Sequence, residues 1–388
     1  MTIKKPQELL APAGDKTIFL GHCAISPLYT GAAAAIQKFS KDMSEGGIRN
    51  LPNYFHLMPM FHDNVAKLLN TTDDNISYVH NCAEGLCQIA NGYPFKPGDQ
   101  IISNLHEYPS NHYPWVLQKQ RGVELLLLSD IDPIGNLGDC DKPRGWSMTE
   151  LESLVNERTR VVAISHVQFS SGYGADLQEL GRFCKRRGID LIVDCAQSLG
   201  CLPVYPQEWN ISAVVASGWK WLMGPKGSAV LYTSRELRQK LRVTMAGPGL
   251  MKQGLNYLDH SWDPHQDGCM FEFSTLPWDH IAGMNRVLEE IFLQLSMEEV
   301  GSEVIRLQNI LINHLDPELM TPLLFDEKHR TGILVARIKT DVQRVISKLL
   351  KKGVVATAPV GYLRLAPHFY QEDKEMVQAA KMINEACA

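Results

Sequence analysis

The strongest constraint on the fold is an alternation of short apolar runs with helical segments between residues 76 and 231. Continuous apolar strands are typical of a sheet that is covered on both faces, and helices between such strands make most of the pairings parallel. The pattern therefore predicts an α/β fold, whose ligands bind outside the carboxyl ends of the strands. In this region we predict strands at residues 101–103, 123–128, 161–165, 191–193, 213–216 and 229–232.

The pattern changes after residue 282. Apolar residues recur at helical spacing in residues 283–294 and 302–315, and short strands at 332–338 and 362–365 flank a helix at 342–352. Mixed strands and helices over roughly 100 residues predict a small α+β domain, which is a common domain size. We therefore predict three parts: an N-terminal arm with helices that packs on the others (1–70), a large α/β domain that holds the ligand site (71–282), and a small C-terminal α+β domain (283–388).

The composition of the chain argues against several classes of function. The 388 residues carry a formal charge of −5, from 38 basic and 43 acidic residues, with no long run of either sign. A nucleic-acid partner normally requires a basic patch, so none is expected. The chain has neither an apolar run of membrane length nor the apolar region of a secretory signal at its start, so no membrane partner is expected. Nine cysteines without a C-x-x-C motif fit reduced thiols, a cytoplasmic location and no metal site.

The chemistry of the chain is suggested by an acidic residue and a lysine at the ends of two predicted strands. Asp194 ends one apolar run, and Lys220 follows another, just before a Gly-Pro-Lys-Gly turn at residues 224–227. One interpretation is a structural ion pair, but burial of charges costs several kcal/mol for each ion unless something compensates. A desolvated lysine is a Schiff-base nucleophile, and an opposing carboxylate is the partner that a protonated pyridine nitrogen needs.

These residues resemble the motifs of a known enzyme family. Asp194-Cys195-Ala196-Gln197, Ser217-Gly218-Trp219-Lys220 and Gly224-Pro225-Lys226-Gly227 are similar to the class V aminotransferases, which are fold-type I pyridoxal-phosphate enzymes. The resemblance covers nearly the whole chain and implies that family's large domain with a seven-stranded sheet, the cofactor pyridoxal 5'-phosphate and a small amino-acid substrate. It further implies that Lys220, rather than Lys226, forms the Schiff base, that Asp194 holds the pyridine nitrogen, and that Gln197 lies near the phenolic oxygen.

The resemblance also indicates how the phosphate is bound. Phosphates are bound by backbone N–H groups at helix N-termini and by short hydroxyl side chains. Cys82 and Ala83, where the family usually has a threonine, are expected to supply the backbone N–H groups. Ser217 is expected to supply a hydroxyl. Residues 271–275 resemble a turn whose threonine reaches the phosphate of the neighbouring subunit. We therefore expect Thr275 to do so in a homodimer with composite active sites.

Four further residues complete the predicted site. Tyr108 is expected to stack on the cofactor ring, because kynureninase-like members have an aromatic residue before a similar Pro-Ser run. His166 and Gln168 belong to the next matching stretch and are expected at the cofactor edge. Arg364 matches the arginine that binds the substrate carboxylate, for which a planar guanidinium fork is suited. From the residues alone, two alternatives stay open: Tyr108 could be a core residue, and Arg364 could face solvent.

The absence of one cysteine reduces the number of reactions that the chain is expected to catalyse. Cysteine desulfurases carry a sulfur-accepting cysteine shortly before the carboxylate-binding arginine, but this chain has none between Cys269 and Cys387. A persulfide-transferring desulfurase is therefore not expected, unless Cys387 substitutes. We favour a C–S lyase or an aminotransferase-like enzyme in which Lys220 removes the Cα proton. The alternatives are an epimerase of the isopenicillin N type, a kynureninase-like hydrolase and, from another class, a non-catalytic scaffold with the same fold.

Overall fold

The computed structural model describes residues 17–129 and 145–388. The first sixteen residues of the predicted arm and Cys140 lie outside this range. The strands are β1 (Ile18–Phe19), β2 (Ile76–Val79), β3 (Gln100–Asn104), β4 (Glu124–Leu128), β5 (Thr159–Ser165), β6 (Asp190–Asp194), β7 (Ala213–Ser217), β8 (Ala229–Thr233), β9 (Met320–Leu323), β10 (Leu334–Ile338), β11 (Val354–Val355) and β12 (Leu363–Leu365).

The α-helices of the described residues cover the sheets and connect their strands. They are α1 (Thr30–Gly46), α2 (Leu57–Leu68), α3 (Cys82–Gly92), α4 (Tyr113–Leu117), α5 (Met148–Leu154), α6 (Leu177–Arg187), α7 (Arg235–Lys240), α8 (Trp278–Val287), α9 (Met297–His314), α10 (Val342–Lys351) and α11 (Asp373–Cys387). None of the helices in residues 17–129 and 145–388 is both long and apolar enough to cross a membrane.

The main sheet has seven strands in the order β2-β8-β7-β6-β5-β3-β4. Strand β8 runs opposite to the others, so the predicted mostly parallel α/β sheet is confirmed. Strands β5 to β8 are almost completely buried, as their continuous apolar sequences predict, whereas the edge strand β4 is partly exposed. Ser165 at the end of β5 pairs with Asp194 at the end of β6, which brings the carboxyl ends of these strands to one edge.

Helix ends follow local capping chemistry. Helix α6 begins after Asp176, whose carboxylate accepts the Glu179 N–H, and ends at Gly188, which adopts the left-handed conformation with φ of 67°. Helix α3 begins directly after β2 because Asn81 caps it through the Glu84 N–H. The short connection from β2 to α3 places the first turn of this helix at the carboxyl edge of the sheet.

A smaller antiparallel sheet, in the order β12-β10-β9, forms the C-terminal part together with α9, α10 and α11. Its apolar core includes Leu307, Leu334 and Ile383. The N-terminal strand β1 pairs with β11 of this part, and α1 packs on α8. Helix α8 crosses the predicted boundary after residue 282. The three-part division itself stays a prediction.

Candidate functional site

A cavity of about 470 Å³ opens at the carboxyl ends of β2, β6 and β7. It is the position at which ligands bind in open α/β sheets. Residues from several distant parts of the chain form its wall, including the segment 23–25 and Pro359. The predicted site residues that line it are Cys82, Tyr108, Asp194, Gln197, Ser217, Lys220 and Arg364.

Asp194 provides a buried carboxylate at the end of β6. Its Oδ1 accepts the Ala196 N–H at 2.8 Å. Burial raises the pKa of Asp194, while the Ala196 hydrogen bond and the charge of Lys220 act in the opposite direction. A protonated ring nitrogen against this carboxylate would offset the cost of its burial. The environment of Asp194 therefore fits its predicted role.

Lys220 is presented to the cavity by a tight loop after β7. The Gly218 N–H donates to Ser228 O at 2.8 Å, and the Gly224 N–H donates to Gly218 O at 2.7 Å. A Cβ on Gly218 would lie 2.4 Å from Ser228 Oγ and 2.8 Å from Met284 Sδ, so any larger residue would force these side chains to shift. The loop holds the lysine at the end of the strand that neighbours Asp194.

An aromatic ring faces this lysine. Lys220 Nζ lies 5.3 Å from the centre of the Tyr108 ring, which packs edge-on against Phe169 at 5.2 Å. Tyr108 is 44% exposed, so it is not a core residue, and that alternative is excluded. A ring in this position can stack on a planar cofactor.

Gln197 is held from two sides. Its Nε2 donates to Cys23 O at 2.9 Å, and its Oε1 accepts the Trp221 indole N–H at 3.3 Å. Its amide group is therefore fixed in orientation at the wall of the cavity. This rigidity fits a group that would hold a polar oxygen of the cofactor.

The first turn of α3 offers backbone donors to an anion. Asn81 Oδ1 accepts the Glu84 N–H at 2.9 Å, so the N–H groups of Cys82 and Ala83 are the ones left without an intrahelical partner. Ser217 Oγ is buried and has no hydrogen-bond partner within the described chain. Buried hydroxyls are normally satisfied, and a phosphate at the α3 N-terminus would supply the missing partner.

Arg364 is buried on β12 at the cavity wall, which excludes the solvent-facing alternative. Its Nε donates to Thr357 Oγ1 at 3.0 Å and its Nη1 donates to Phe169 O at 2.6 Å. A guanidinium has five N–H donors, so others remain for a carboxylate. The two contacts fix the plane of the fork.

Four predicted residues are outside the cavity lining, and their roles, like those of the residues that line it, stay predictions. The His166 N–H donates to Asp194 O at 2.9 Å, and burial lowers the pKa of the His166 ring to about 4, so this ring is neutral. Gln168 Nε2 donates to Glu107 Oε1 at 3.0 Å. Ala83 offers its backbone amide alone, and Thr275 is exposed.

Glu107 is a buried site residue that the sequence reasoning missed. Its Oε1 accepts the Ser165 N–H at 2.7 Å, and its Oε2 forms a 2.5 Å hydrogen bond with Ser165 Oγ. Burial raises the pKa of Glu107 to about 7. The available signal was its position directly before Tyr108. Cys23 and Pro359, which line the cavity, and Thr357, which orients Arg364, were also missed.

Comparison with known proteins agrees with this geometry. The family model for "Aminotransferase class-V" matches residues 18–361. A probable cysteine desulfurase of Methanothermobacter thermautotrophicus is 29% identical over 187 residues, which span 48% of this chain and 44% of that protein. The chain therefore aligns with less than half of that curated relative.

Two solved structures have the same fold. The cystine C–S lyase C-DES, in complex with its reaction product cysteine persulfide, has a TM-score of 0.85 at 19% identity and covers 95% of this chain and 98% of its own. The apo cysteine desulfurase of Thermococcus onnurineus has a TM-score of 0.85 at 20% identity and covers 99% of both chains. These similarities confirm the predicted fold-type I architecture. Together with the family match over residues 18–361, they show that the chain belongs to the class V aminotransferase family of pyridoxal-phosphate-dependent enzymes.

Proposed function

We propose that the protein is a lyase that breaks the carbon–sulfur bond of a small sulfur-containing α-amino acid by β-elimination. The observation that carries this proposal is the convergence of Lys220, Asp194 and Arg364 on one cavity. The named C–S lyase and cysteine desulfurases among the similar proteins support a sulfur-containing substrate. The relatives and structures named above include neither an epimerase nor a kynureninase.

The residues would divide the work as follows. When bound, pyridoxal phosphate supplies an electron sink for negative charge at the substrate Cα. Lys220 Nζ would hold the cofactor aldehyde carbon at rest and, once a substrate amine displaces it, accept the Cα proton. Asp194 would keep the ring nitrogen protonated, and Tyr108 would cover the ring face. Arg364 would bind the α-carboxylate and so orient the Cα–H bond.

The loop between α10 and β12 favours elimination over sulfur transfer to the protein. Residues 352–361 contribute Pro359 to the cavity wall and contain no cysteine. The cavity is lined by two cysteines, Cys23 and Cys82, and both are buried. Without an acceptor thiol on this loop, the sulfur would leave as a free thiol or persulfide, with pyruvate and ammonia as the other products.

A panel of amino acids tests the proposal on the purified holoenzyme. Cystine, cysteine and S-alkyl cysteines would be supplied, and pyruvate, ammonia, alanine and released sulfur would be followed together. We expect pyruvate and ammonia in equal amounts. Alanine as the product would instead show desulfurase chemistry. A keto acid that forms only with an amino acceptor, and without ammonia, would show transamination.

We also propose that the enzyme is a homodimer with composite sites. Thr275 is exposed and lies outside the cavity of its own chain, as expected for a residue that acts on a neighbouring subunit. A closed two-fold pair is the commonest symmetric assembly. Thr275 from one subunit would then complete the phosphate contacts of the other.

A further inference from the structure

Four side chains of metal-binding types lie around the sulfur atom of Cys269, away from the cavity described above. The ligand atoms of His62, Cys269 and Glu272 lie within 4.8 Å of one another. Those of His265, Asp267 and Cys269 do so as well. Cys269 Sγ is common to both sets, so nitrogen and carboxylate donors from two parts of the chain lie near one sulfur atom.

Part of this cluster is already held in place. His62, on α2, forms a 2.7 Å hydrogen bond from Nε2 to Glu272 Oε1, and this oxygen also accepts the Tyr78 N–H at 2.6 Å. The side chains of His62 and Glu272 are 13% and 8% exposed, so the pair is largely shielded from solvent. Carboxylates that are anchored by a backbone N–H are pre-oriented for a metal ion.

The Cys269 side of the cluster is fixed by a short 3-10 helix at Gly268–Phe271. Asp267 Oδ1 accepts the Cys269 N–H at 3.0 Å, and Ser77 Oγ donates to Gly268 O at 2.7 Å. These bonds attach the turn to β2 and engage Asp267 Oδ1, which also lies 3.6 Å from His265 Nδ1. His265 precedes the turn and is nearer to solvent, where it can close the site.

We propose that His62, His265, Cys269 and Glu272 bind a divalent transition-metal ion of the zinc type. Two imidazoles, one thiolate and one carboxylate form a donor set that Zn²⁺ prefers over Mg²⁺ or Ca²⁺. Zinc bonds of about 2.0–2.3 Å place tetrahedral ligand atoms about 3.3–3.8 Å apart. His265 belongs to a separate group that shares only Cys269 with His62 and Glu272, so its ring would have to turn towards them to complete the set. The thiolate and the carboxylate together neutralise the charge of the ion.

The proposed site would have a structural role. It would attach residues 265–272 to α2 and β2, directly before Ser274 and Thr275 on the same segment. Four protein ligands leave no open coordination position, which is typical of structural zinc. The ion would therefore fix the path of the segment that carries Thr275, and it would take no part in the reaction.

Metal content and cobalt spectroscopy test this site independently of activity. Holoenzyme would be loaded with zinc, dialysed and analysed for metal, next to Cys269→Ser and His265→Gln. Cys87→Ser is the matched control, because Cys87 is a partly exposed cysteine on α3 outside the cluster. We expect one zinc per chain in the wild type and the control, and zinc binding weakened about tenfold or more in the two variants.

Cobalt(II) reports directly on the ligands. The wild type and Cys87→Ser should show visible ligand-field bands of a tetrahedral site and a near-ultraviolet thiolate charge-transfer band, and Cys269→Ser should lose the latter. Circular dichroism would confirm that each variant is folded. A wild type that retains no zinc after dialysis would overturn the proposal and leave a hydrogen-bonded cluster. Full zinc content in folded Cys269→Ser and His265→Gln would also overturn it.

Discussion

Lys220 Nζ lies 5.3 Å from the centre of the Tyr108 ring, although the two residues belong to loops after different strands of the main sheet. Lys220 follows β7 and Tyr108 follows β3, and both loops meet at the carboxyl edge of the sheet. The ring and the amine thereby bound the space in which a planar cofactor would lie. The position of the amine leads to the first prediction.

Lys220→Ala should abolish covalent attachment of the cofactor and leave the fold intact. Lys226→Ala is the matched control, because Lys226 also lines the cavity. Borohydride reduction followed by peptide mass spectrometry should find the cofactor on Lys220 in the wild type and in the control. A cofactor found on Lys226 would show that the assignment is wrong.

Asp194→Ala should retain part of the cofactor but lose turnover on the order of 10²-fold, since the electrostatic partner of the ring nitrogen is removed. Cofactor content by absorbance and kcat on the best substrate of the panel would be measured together. A variant with near-normal kcat would contradict the role of Asp194.

Glu107 should make the stability of the protein depend on pH. Its pKa is raised from 4.5 to about 7, so the folded state binds a proton that the unfolded state has already lost in this interval. The contribution of Glu107 to the free energy of unfolding is therefore fully present below about pH 4.5 and is lost as pH rises towards 7. At 1.36 kcal/mol for each pKa unit, the loss amounts to about 3 kcal/mol.

Glu107→Gln imitates the protonated carboxyl and should not show this loss. An amide at this position can still accept from Ser165 N and Gln168 Nε2 and can donate to Ser165 Oγ. The free energy of unfolding would be measured for both proteins at pH 5 and pH 8. Relative to the wild type, Glu107→Gln should be more stable at pH 8 than it is at pH 5. Glu107→Ala should be destabilised at both pH values. A difference between wild type and Glu107→Gln that does not vary with pH would refute the prediction.

Arg364→Lys should raise KM for the substrate and lower kcat/KM about tenfold or more, because hydrogen bonds to a charged group are worth about 1.5–3 kcal/mol. The cofactor content should be unchanged, since Arg364 is assigned to the substrate and not to the cofactor. Loss of cofactor with an unchanged KM would instead assign Arg364 to the cofactor.

Mixed dimers test the composite site. Lys220→Ala subunits should be nearly inactive alone, and so should Thr275→Ala subunits when free cofactor is kept well below their Kd, because cofactor binding is weakened about tenfold or more. After subunit exchange, one site of each mixed dimer would be intact, so activity should return. Proven exchange without recovery would place Thr275 and Lys220 in the site of the same subunit.

Local patterns in the sequence were enough to predict most strands of the main sheet and the central pair of the site. A buried strand can be recognised from consecutive apolar residues alone. The strands that end at Asp194 and before Lys220 could therefore be predicted from local pattern and from the resemblance. Parallel strands share one carboxyl edge, and this rule alone brought the two residues together.

The groups that support that pair could not be predicted from local patterns, because they come together through long-range packing. Glu107 binds Ser165 and Gln168, which are 58 and 61 positions away, and Arg364 Nη1 binds Phe169 O, which is 195 positions away. His62 and Glu272, separated by 210 positions, are likewise joined by packing. Local periodicity carries no information on such partners, because burial and hydrogen bonding across elements arise only when the helices and sheets pack together.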